Sequence, residues 1–448
     1  MLSSRHPWAR AAAACALIAL LSSPLPAAAE VRDTDIICGV PNTEVERATN
    51  DRPDIQAQEA IVVDDEGTVL FERDADKPVK IASVTKVMTA IVALENSDPN
   101  ATITVDHRAA TVGQSSADLK EGDVLTMEEA LRALMIPSGN DAAMAIASSV
   151  GAMIDPESDD PYGVFIDAMN KKAQELGMAN SVFSNPHGLD FDGWEGDFHS
   201  TARDVATMFA YAMKNESFRA LTSSPDNQIT VTGADGTERT IDMIERNTIL
   251  GQHGNIGGKT GGTYEALQCF VGAFSREPGG EIYTVTLGSD GDEQRWEDTL
   301  ALANWYYDHV ISYPIGTSER TCPDGSPLIA RVPHADWTDK GVDVTLKDPG
   351  QTVEVFSLSG DLVADLALSP LGGTVAKGDA AGELVIAQNG EEIATAELVA
   401  AENQAAPSGI DWLLVQFDRL VRFLTGQPGS AEQRVFVDTV DPLELDAV

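Results

Sequence analysis

The chain has 448 residues, of which 43% are hydrophobic, and a length above about 300 residues predicts more than one domain because single cores rarely grow larger. Its 71 acidic residues outnumber the 30 basic ones and give a formal net charge of −41 at pH 7. Such a surface repels phosphate backbones, which excludes nucleic acid as a partner, although acidity by itself identifies no substrate.

The first 29 residues have the pattern of an export signal. Two arginines precede an apolar run over residues 11–21, and a row of alanines stands just before Glu30. About 11 apolar residues fall short of the roughly 20 that a membrane-spanning helix needs. We therefore predict cleavage after Ala29 rather than an uncleaved membrane anchor.

Residues 30–322 are predicted to form the first domain, a mixed α/β (α+β) unit in which helices cluster on a sheet. Apolar periodicity and capping residues predict its elements. They are, in chain order, a hairpin over residues 60–71, helices over 83–95 and 126–135, strands over 257–274 and 282–287, and a closing helix over 293–310.

The composition changes over residues 323–405 to short β-rich runs with frequent glycine, which predicts a small β-sandwich domain. Its clearest element is a hairpin, because the pair Asn389-Gly390 suits a type I′ turn. This segment contains no catalytic constellation, so we expect it to position the first domain.

The next segment, residues 409–425, is predicted to be an amphipathic helix, because apolar residues recur at helical spacing over 410–424. About 15 residues at 1.5 Å each give roughly 22 Å, which can lie on a bilayer but hardly cross it. We predict a membrane-surface anchor, and docking on the β domain or on a partner protein stays the alternative. The acidic tail, 426–448, is predicted to be disordered.

Three cysteines remain after the predicted cleavage. Cys269 lies in an apolar run that is typical of a buried strand, where it serves as a small hydrophobic residue. Cys38 and Cys322 stand at the two ends of the first domain. In an oxidising compartment we predict that these two form a disulfide.

Three short segments carry the chemistry: Ser-Val-Thr-Lys at residues 83–86, Ser-Gly-Asn at 138–140 and Lys-Thr-Gly at 259–261. Each is common by chance, but their joint order is typical of serine acyl-transferases that react with penicillin. Ser83 and Lys86 share one helix face, so the amine can remove the proton of the hydroxyl. Without the other segments, Ser83 would more simply be a helix cap.

The second and third segments can bind and protonate a substrate. Ser138 is predicted to pass a proton to the leaving amine, and Asn140 to orient the acyl donor with its amide. Lys259 and Thr260 offer a cation and a hydroxyl to a substrate carboxylate, and Gly262 lets the substrate backbone approach the strand edge. Taken singly, each stretch could be only a turn.

With these motifs the chain resembles the low-molecular-mass penicillin-binding proteins, which are D-alanyl-D-alanine carboxypeptidases of the cell wall. The resemblance also rests on Asn-Pro-His-Gly-Leu-Asp at 185–190, His-Ser-Thr-Ala-Arg-Asp at 199–204 and Gln-Arg-Trp at 294–296, and it covers nearly all of the chain after the export signal. It implies a β-lactamase/DD-peptidase-like catalytic domain, with a helix cluster on an antiparallel sheet, plus a small all-β domain. It implies no cofactor.

The resemblance implies a two-step acyl transfer. Ser83 attacks the peptide carbonyl between two terminal D-alanines, D-alanine leaves, and water hydrolyses the acyl-enzyme. Lys86 is then the general base, Ser138 the proton relay and Asn140 a ligand of the substrate amide. Peptidoglycan stem peptides are the implied substrate, and β-lactam antibiotics are the implied covalent inhibitors.

By the same resemblance, Arg295 joins Lys259 and Thr260 in holding the terminal carboxylate, since arginine presents a fork of donors. The oxyanion rests on the backbone N–H groups of Ser83 and Gly262. The family often has a histidine directly after Lys-Thr-Gly, whereas this chain has glycine there.

Two further expectations follow from the resemblance. His187 corresponds to a loop histidine near the rim of the family's active site, with loop packing as the equal alternative. Together with the export signal and the terminal helix, the resemblance implies a periplasmic protein that is peripherally attached to the outer face of the cytoplasmic membrane.

Two other functions stay open. A β-lactamase shares the fold and the motifs, and Glu195 could activate its deacylating water, but the Glu-x-x-Leu-Asn pattern of class A enzymes is missing. A non-catalytic cell-wall-binding protein could retain the fold, although the intact motif residues argue against it. No metal site is predicted, because His187, His199 and His253 lack the spacing of common zinc motifs.

Overall fold

The computed structural model describes residues 32–44, 48, 51–224, 226–438 and 441–446. The predicted export signal and its cleavage point lie outside these residues. The described strands are β1 (Ile36–Ile37), β2 (Val40–Pro41), β3 (Glu59–Asp64), β4 (Val69–Arg73), β5 (Thr102–Thr104), β6 (Val124–Thr126), β7 (Gln228–Thr232), β8 (Glu238–Asp242), β9 (Asn255–Thr263), β10 (Leu267–Arg276), β11 (Gly280–Ser289), β12 (Val310–Pro314), β13 (Ala330–Pro333), β14 (Gly341–Leu346), β15 (Thr352–Phe356), β16 (Leu362–Leu368), β17 (Ala380–Gln388), β18 (Glu391–Ala400) and β19 (Arg434–Val435).

The described α-helices alternate with these strands in the first part of the chain. They are α1 (Lys86–Asn96), α2 (His107–Thr111), α3 (Met127–Met135), α4 (Asn140–Ile154), α5 (Pro161–Glu175), α6 (Ala202–Met213), α7 (Glu216–Thr222), α8 (Asp292–Asp308), α9 (Ile410–Thr425) and α10 (Pro442–Asp446). A 3₁₀ turn, Ala82–Thr85, leads directly into α1. The capping box expected before α3 is formed between Thr126 and Glu129.

The first domain is built on an antiparallel sheet with the strand order β2-β1-β4-β3-β11-β10-β9 among the described residues. Side chains alternate along β3, so Ile61 and Val63 pack against one group of helices, while Ala60 and Val62 face α8. Because both faces of the sheet are covered, the strand is apolar from Ala60 to Val63. The implied arrangement of a helix cluster on an antiparallel sheet is confirmed.

Helix α1 lies inside the helix cluster, with every residue from Lys86 to Ala93 buried. A helix that is apolar on nearly all sides is stable only when neighbours surround it, and α4, α5, α6 and the sheet do so here. The nucleophile segment therefore opens into a dry interior, and the one lysine on this helix is inside it.

The expected strand over 257–274 is instead a hairpin, in which β9 and β10 pair antiparallel. The chain turns after Thr263, whose Oγ1 accepts a hydrogen bond from the backbone N–H of Ala266 at 3.0 Å. Threonine hydroxyls favour such turns, which periodicity alone does not reveal because both halves alternate in the same way.

The C-terminal part contains a sheet with the order β16-β17-β18-β14-β13-β19 among the described strands. The expected hairpin is present between β17 and β18, with Asn389 and Gly390 both at positive φ, as a type I′ turn requires. Strand β12 pairs with β15, so residues 310–314, before the predicted boundary at 323, already pair with a strand of the predicted β domain.

The amphipathic segment forms α9, as predicted, but the tail that follows it differs from the predicted disorder. Part of the acidic tail pairs with the β domain as β19, where Phe436 N–H donates to Ile329 O at 2.8 Å. Residues 434–436 of the tail are thus held by an added strand, whose hydrogen bonds depend on the backbone rather than on composition. Among the described helices, none is both long and apolar enough to pass through a bilayer.

The predicted disulfide between Cys38 and Cys322 is wrong. Cys322 carries a free thiol, with its Sγ 3.9 Å from Pro327 O in the β domain. Cys38 Sγ instead lies 3.4 Å from Ser359 Oγ. Both cysteines lie near an end of the first domain in the sequence, but their sulfurs have different neighbours in the structure. A disulfide requires Cα atoms within about 7 Å. Cys269 is buried in β10 as expected.

Candidate active site

Ser83 and Lys86 meet as the sequence predicts. Lys86 Nζ lies 2.8 Å from Ser83 Oγ, 2.8 Å from Asn140 Oδ1 and 3.0 Å from the carbonyl oxygen of His187. The 3₁₀ turn presents the serine, and the first turn of α1 holds the lysine below it. A base within hydrogen-bond reach of a hydroxyl is the geometry that nucleophilic catalysis by serine requires.

The environment of Lys86 favours its neutral form. The side chain is fully buried, and burial lowers its pKa well below the ordinary value. The positive charge of Lys259 lowers the pKa further, whereas the carboxylate of Asp141 opposes this shift. A lysine whose pKa is lowered loses its proton more easily, and the neutral amine can accept the proton of a serine hydroxyl.

Ser138 and Lys259 form a second lysine–serine pair. Lys259 Nζ donates to Ser138 Oγ at 2.9 Å and to the carbonyl oxygen of Thr260 at 2.8 Å. Burial lowers the pKa of Lys259 to about 7, and the carboxylate of Glu245 opposes the shift. Ser138 has φ 63°, a left-handed conformation that costs a non-glycine residue about 1–2 kcal/mol.

Asn140 connects the two sides of the site. Its Oδ1 accepts from Lys86, and its Nδ2 donates to Gly113 O at 3.0 Å, which leaves one amide N–H for a substrate. The neighbouring carboxylate of Asp141 accepts backbone N–H groups from Ala117 and Leu119 at 2.9 and 3.2 Å. These contacts fix the loop whose residues line the cleft.

His187 lies inside the protein, so the expected position at the rim is wrong. Its side chain is fully buried, its Nδ1 accepts from the N–H of Leu189 at 3.1 Å, and its ring meets Trp194 edge-on with centroids 4.5 Å apart. Burial lowers its pKa well below the ordinary value, and the charge of Lys86 adds to this. The packing alternative therefore holds, because an apolar loop residue covers the ring.

The loop after His187 approaches the nucleophile turn very closely. Gly188 has φ 83°, and a Cβ placed on it would lie 1.8 Å from the carbonyl oxygen of Ala82. Only glycine fits such a contact. The motif Asn-Pro-His-Gly thus supports the turn that carries Ser83 from below, rather than contributing a catalytic imidazole.

Arg295 stands behind the end of β9. Its guanidinium donates to Gly261 O at 3.2 Å, to Gln268 Oε1 at 2.9 Å and to Asp292 Oδ1 at 2.8 Å. Burial lowers its pKa, although arginine stays charged. The arrangement places a positive charge beside the strand edge that follows Lys259.

A cleft of about 420 Å³ joins these parts. Its wall includes Ser83, Asn140 and Gly262, together with Gln114, Ser115, Leu189, Phe191, Thr263, Tyr264, Gln268 and Asp292. Thr260 is largely buried beneath it, next to Lys259. The structure therefore brings Ser83, Asn140 and Gly262 to one cavity, whereas the buried Lys86, Ser138, Lys259 and Arg295 are not among its lining residues.

Two further observations bear on alternative chemistries. Glu195, the residue that a β-lactamase would use to activate its deacylating water, is exposed, and its Oε2 accepts the N–H of Gly193 at 2.9 Å. Among the residues that the structure describes, no group of His, Cys, Asp or Glu could hold a metal ion.

Three contributors escaped the sequence analysis: Asp141, Gly188 and Asp292. Asp141 directly follows the Ser-Gly-Asn segment, and Asp292 stands three residues before Arg295, so proximity to a motif was a usable signal for both. Gly188 lies inside the Asn-Pro-His-Gly-Leu-Asp motif, but its role depends on a contact with a segment about a hundred residues away.

Known proteins are similar to this chain over the region that contains the three motif segments. A family model described as D-alanyl-D-alanine carboxypeptidase matches residues 46–291. The chain is 25% identical to the carboxypeptidase DacF of Bacillus subtilis, over 80% of this chain and 88% of that protein. It is 34% identical to DacB2 of Mycobacterium tuberculosis, over 56% of this chain and 83% of that protein. The solved DD-transpeptidase of Streptomyces K15 matches with a TM-score of 0.52 and 31% identity, over 58% of this chain and 98% of that one.

Proposed function

Because the chain belongs to the D-alanyl-D-alanine carboxypeptidase family of serine hydrolases, we propose that it removes the terminal D-alanine of peptidoglycan stem peptides through an acyl-enzyme on Ser83. The observation that carries this proposal is the 2.8 Å contact between the buried Lys86 Nζ and Ser83 Oγ on the cleft wall. No cofactor is needed, since the lysine supplies the base and the serine the nucleophile.

In the first step, neutral Lys86 takes the proton of Ser83 Oγ while the oxygen attacks the carbonyl carbon of the penultimate D-alanine. The negative charge that develops on the carbonyl oxygen is stabilised by the backbone N–H groups of Ser83 and Gly262, both on the cleft wall. Asn140 offers its remaining amide N–H to the peptide backbone of the acyl donor.

In the second step, the carbon–nitrogen bond breaks and the leaving amine takes a proton from Ser138 Oγ. The Ser138 hydroxyl regains a proton from the lysine pair, whose members Lys86 and Lys259 both have lowered pKa values. Water then attacks the ester carbonyl carbon on Ser83 while Lys86 accepts a proton from the water. The bond to Ser83 Oγ breaks, Lys86 returns the proton to that oxygen, and the shortened peptide leaves.

The terminal carboxylate of the substrate is proposed to bind beside β9. Lys259 is one cation near this edge, and Arg295 is the second, 3.2 Å from the carbonyl oxygen of Gly261. Thr260, the residue after Lys259, adds a hydroxyl group. A carboxylate favours such a position because charged donors form the strongest hydrogen bonds.

The test compares the wild type with Ser83→Ala, and with Ser97→Ala at the far end of the same helix as a matched control. Wild type and Ser97→Ala should release D-alanine from a peptide ending in D-Ala-D-Ala and gain the mass of benzylpenicillin at Ser83. Ser83→Ala should do neither. Unchanged D-alanine release by Ser83→Ala would refute the proposal, and rapid hydrolysis of the penicillin adduct would favour a β-lactamase.

The proposal includes export and attachment to the outer face of the cytoplasmic membrane through α9. Within this helix Val415 is buried, whereas Leu413, Phe417 and Phe423 are exposed. The polar side faces the β domain, where an Arg419 guanidinium N–H donates to Ala335 O at 2.8 Å. The acidic and basic residues of α9 balance, so apolar burial in the bilayer has to supply the attachment.

A further inference from the structure

We infer that Asp292 competes with the terminal carboxylate of the substrate for the guanidinium of Arg295. This inference rests on the proposed function, in which Arg295 helps to hold that carboxylate. Asp292 thereby weakens the binding of carboxylate-ended ligands and sets how strongly the enzyme prefers them over ligands with an uncharged end.

The first observation concerns how Arg295 is held. Two of its contacts belong to the hairpin, at Gly261 O and Gln268 Oε1. Its guanidinium carbon lies 4.6 Å from the ring centroid of Trp296, and the arginine side chain is only 9% exposed. These contacts fix the plane of the guanidinium, so the group cannot swing out to find a ligand.

The second observation concerns the remaining partner. Asp292 Oδ1 accepts a hydrogen bond from Arg295 Nη2 at 2.8 Å. Among the described residues, Asp292 is the acid that forms an ion pair with this arginine. Its side chain is 74% exposed and it forms part of the cleft wall together with Ser83 and Gly262. The carboxylate of Asp292 therefore occupies the side of the guanidinium that a ligand in the cleft can reach.

The third observation concerns which contact can yield. Gly261 contributes a backbone carbonyl within a paired strand, and Gln268 lies on the neighbouring strand. Asp292 is on the first turn of α8, exposed to solvent, and needs only a rotation about its side-chain bonds to leave. A carboxylate that enters the cleft exchanges one ion pair for another, whereas an amide end has no charge with which to displace Asp292.

Competition and orientation predict opposite effects of removing the charge of Asp292 on ligand binding. If Asp292 competes, removing its charge strengthens the binding of carboxylate-ended ligands. If Asp292 instead only orients Arg295, removing its charge weakens that binding. The two possibilities predict opposite changes in KM, and neither involves the proton transfers that determine bond cleavage.

The test uses Asp292→Asn, with Glu293→Gln as a matched control. Glu293 occupies the same helical turn, carries the same charge and forms no ion pair with a described residue. D-alanine release is measured from a peptide that ends in D-Ala-D-Ala and, as release of D-alaninamide, from the same peptide with a C-terminal amide. Thermal unfolding confirms that both variants are folded.

Asp292→Asn should lower KM for the acid peptide about two- to five-fold, the size expected for the loss of one partly exposed ion pair. Its effect should be confined to KM, with the amide peptide unaffected and Glu293→Gln like wild type for both. A raised KM for the acid peptide, an unchanged one, or an equal change for both peptides overturns the inference.

Failure of the premises gives different results. Wild type that releases no D-alanine and gains no penicillin mass at Ser83 overturns the proposed function itself. Wild type that is active, together with an Arg295→Gln variant that keeps the preference for the acid peptide, overturns the assignment of Arg295 as a carboxylate ligand. When Arg295→Gln removes the preference for the acid peptide, Arg295 is confirmed as a carboxylate ligand. If Asp292→Asn then fails to increase this preference, the inference about Asp292 alone is overturned.

Discussion

Lys259 Nζ donates a hydrogen bond to Ser138 Oγ at 2.9 Å, and Lys86 Nζ stands in the same relation to Ser83 Oγ at 2.8 Å. Burial lowers the pKa of both lysines, and the charge of Lys259 lowers that of Lys86 further. Two such groups titrate as a coupled pair, so one proton leaves more easily than it would from an isolated lysine. This relationship makes one lysine available as a base while the other keeps a positive charge for the substrate.

Replacing the base tests this division of labour. We expect Lys86→Gln to slow acylation by benzylpenicillin about 10²–10⁴-fold, because general-base catalysis contributes about this much and Ser83 has no other base within reach among the described residues. Acylation is measured by intact mass over time. Lys171→Gln serves as the control, since Lys171 is an exposed residue of α5. Near-normal acylation by Lys86→Gln would show that another group removes the proton.

Buried lysines also make stability depend on pH. The pKa of Lys259 is about 7 in the folded protein, against 10.5 for an unburied lysine. Between these values the unfolded chain binds more protons than the native one, so stability rises with pH, by about 1.4 kcal/mol per pH unit for each proton of difference. The native state gains this stability only as the solution becomes alkaline.

The corresponding variant is Lys259→Met, which removes one titrating group. We measure the free energy of unfolding in urea between pH 7 and about pH 9. In Lys259→Met it should rise with pH less steeply than in wild type, by up to about 1.4 kcal/mol per pH unit, which corresponds to one proton. Lys171→Met, on the protein surface, should leave the slope unchanged. An equal slope in wild type and Lys259→Met would mean that Lys259 is not deprotonated in this range.

Much of the site could be predicted because its motifs are local. Ser83 and Lys86 lie on one turn, and the spacing of their side chains follows from helical geometry alone. Likewise, the hairpin at Asn389-Gly390 follows from the φ values that its turn requires. In both cases the information lies within a few residues of sequence.

The rest depended on contacts between distant segments. His187 is buried because Trp194 folds over it. The separation of Cys38 from Cys322 could be predicted only by knowing which strands pair around each cysteine. The ordered part of the tail pairs through its backbone, which composition does not report. Even the place of Asp292 beside Arg295 became meaningful only when β9 and α8 were seen to meet at the cleft.

The apolar face of α9 gives a prediction about membranes. Phe417 is 66% exposed, and burying a phenylalanine side chain contributes about 1.5–3 kcal/mol. We expect Phe417→Glu to lower binding to phospholipid vesicles at least about tenfold. Gln416→Glu adds a charge at the adjacent residue, away from the exposed apolar face, and should bind nearly as wild type. Binding is measured by co-sedimentation of the full chain, and loss in both variants would point to charge alone.

The close approach of Gly188 to the nucleophile turn gives the last prediction. Gly188→Ala places a methyl group 1.8 Å from Ala82 O and also imposes a left-handed conformation on alanine. We expect it to lower the free energy of unfolding by about 3–4 kcal/mol, because steric overlap adds to the conformational strain. Acylation should fall at least about 100-fold, since the shift moves Ser83 and the carbonyl that holds Lys86.

Gly193→Ala separates the two causes. Gly193 has φ 90°, in the same loop, but a Cβ there meets no atom within 4 Å. It should therefore suffer only the conformational strain, about 1 kcal/mol in urea unfolding, and keep normal acylation. If the two alanine variants were equally stable and equally active, the contact between Gly188 and Ala82 would not support the nucleophile. A loss confined to Gly188→Ala assigns the effect to the turn that carries Ser83.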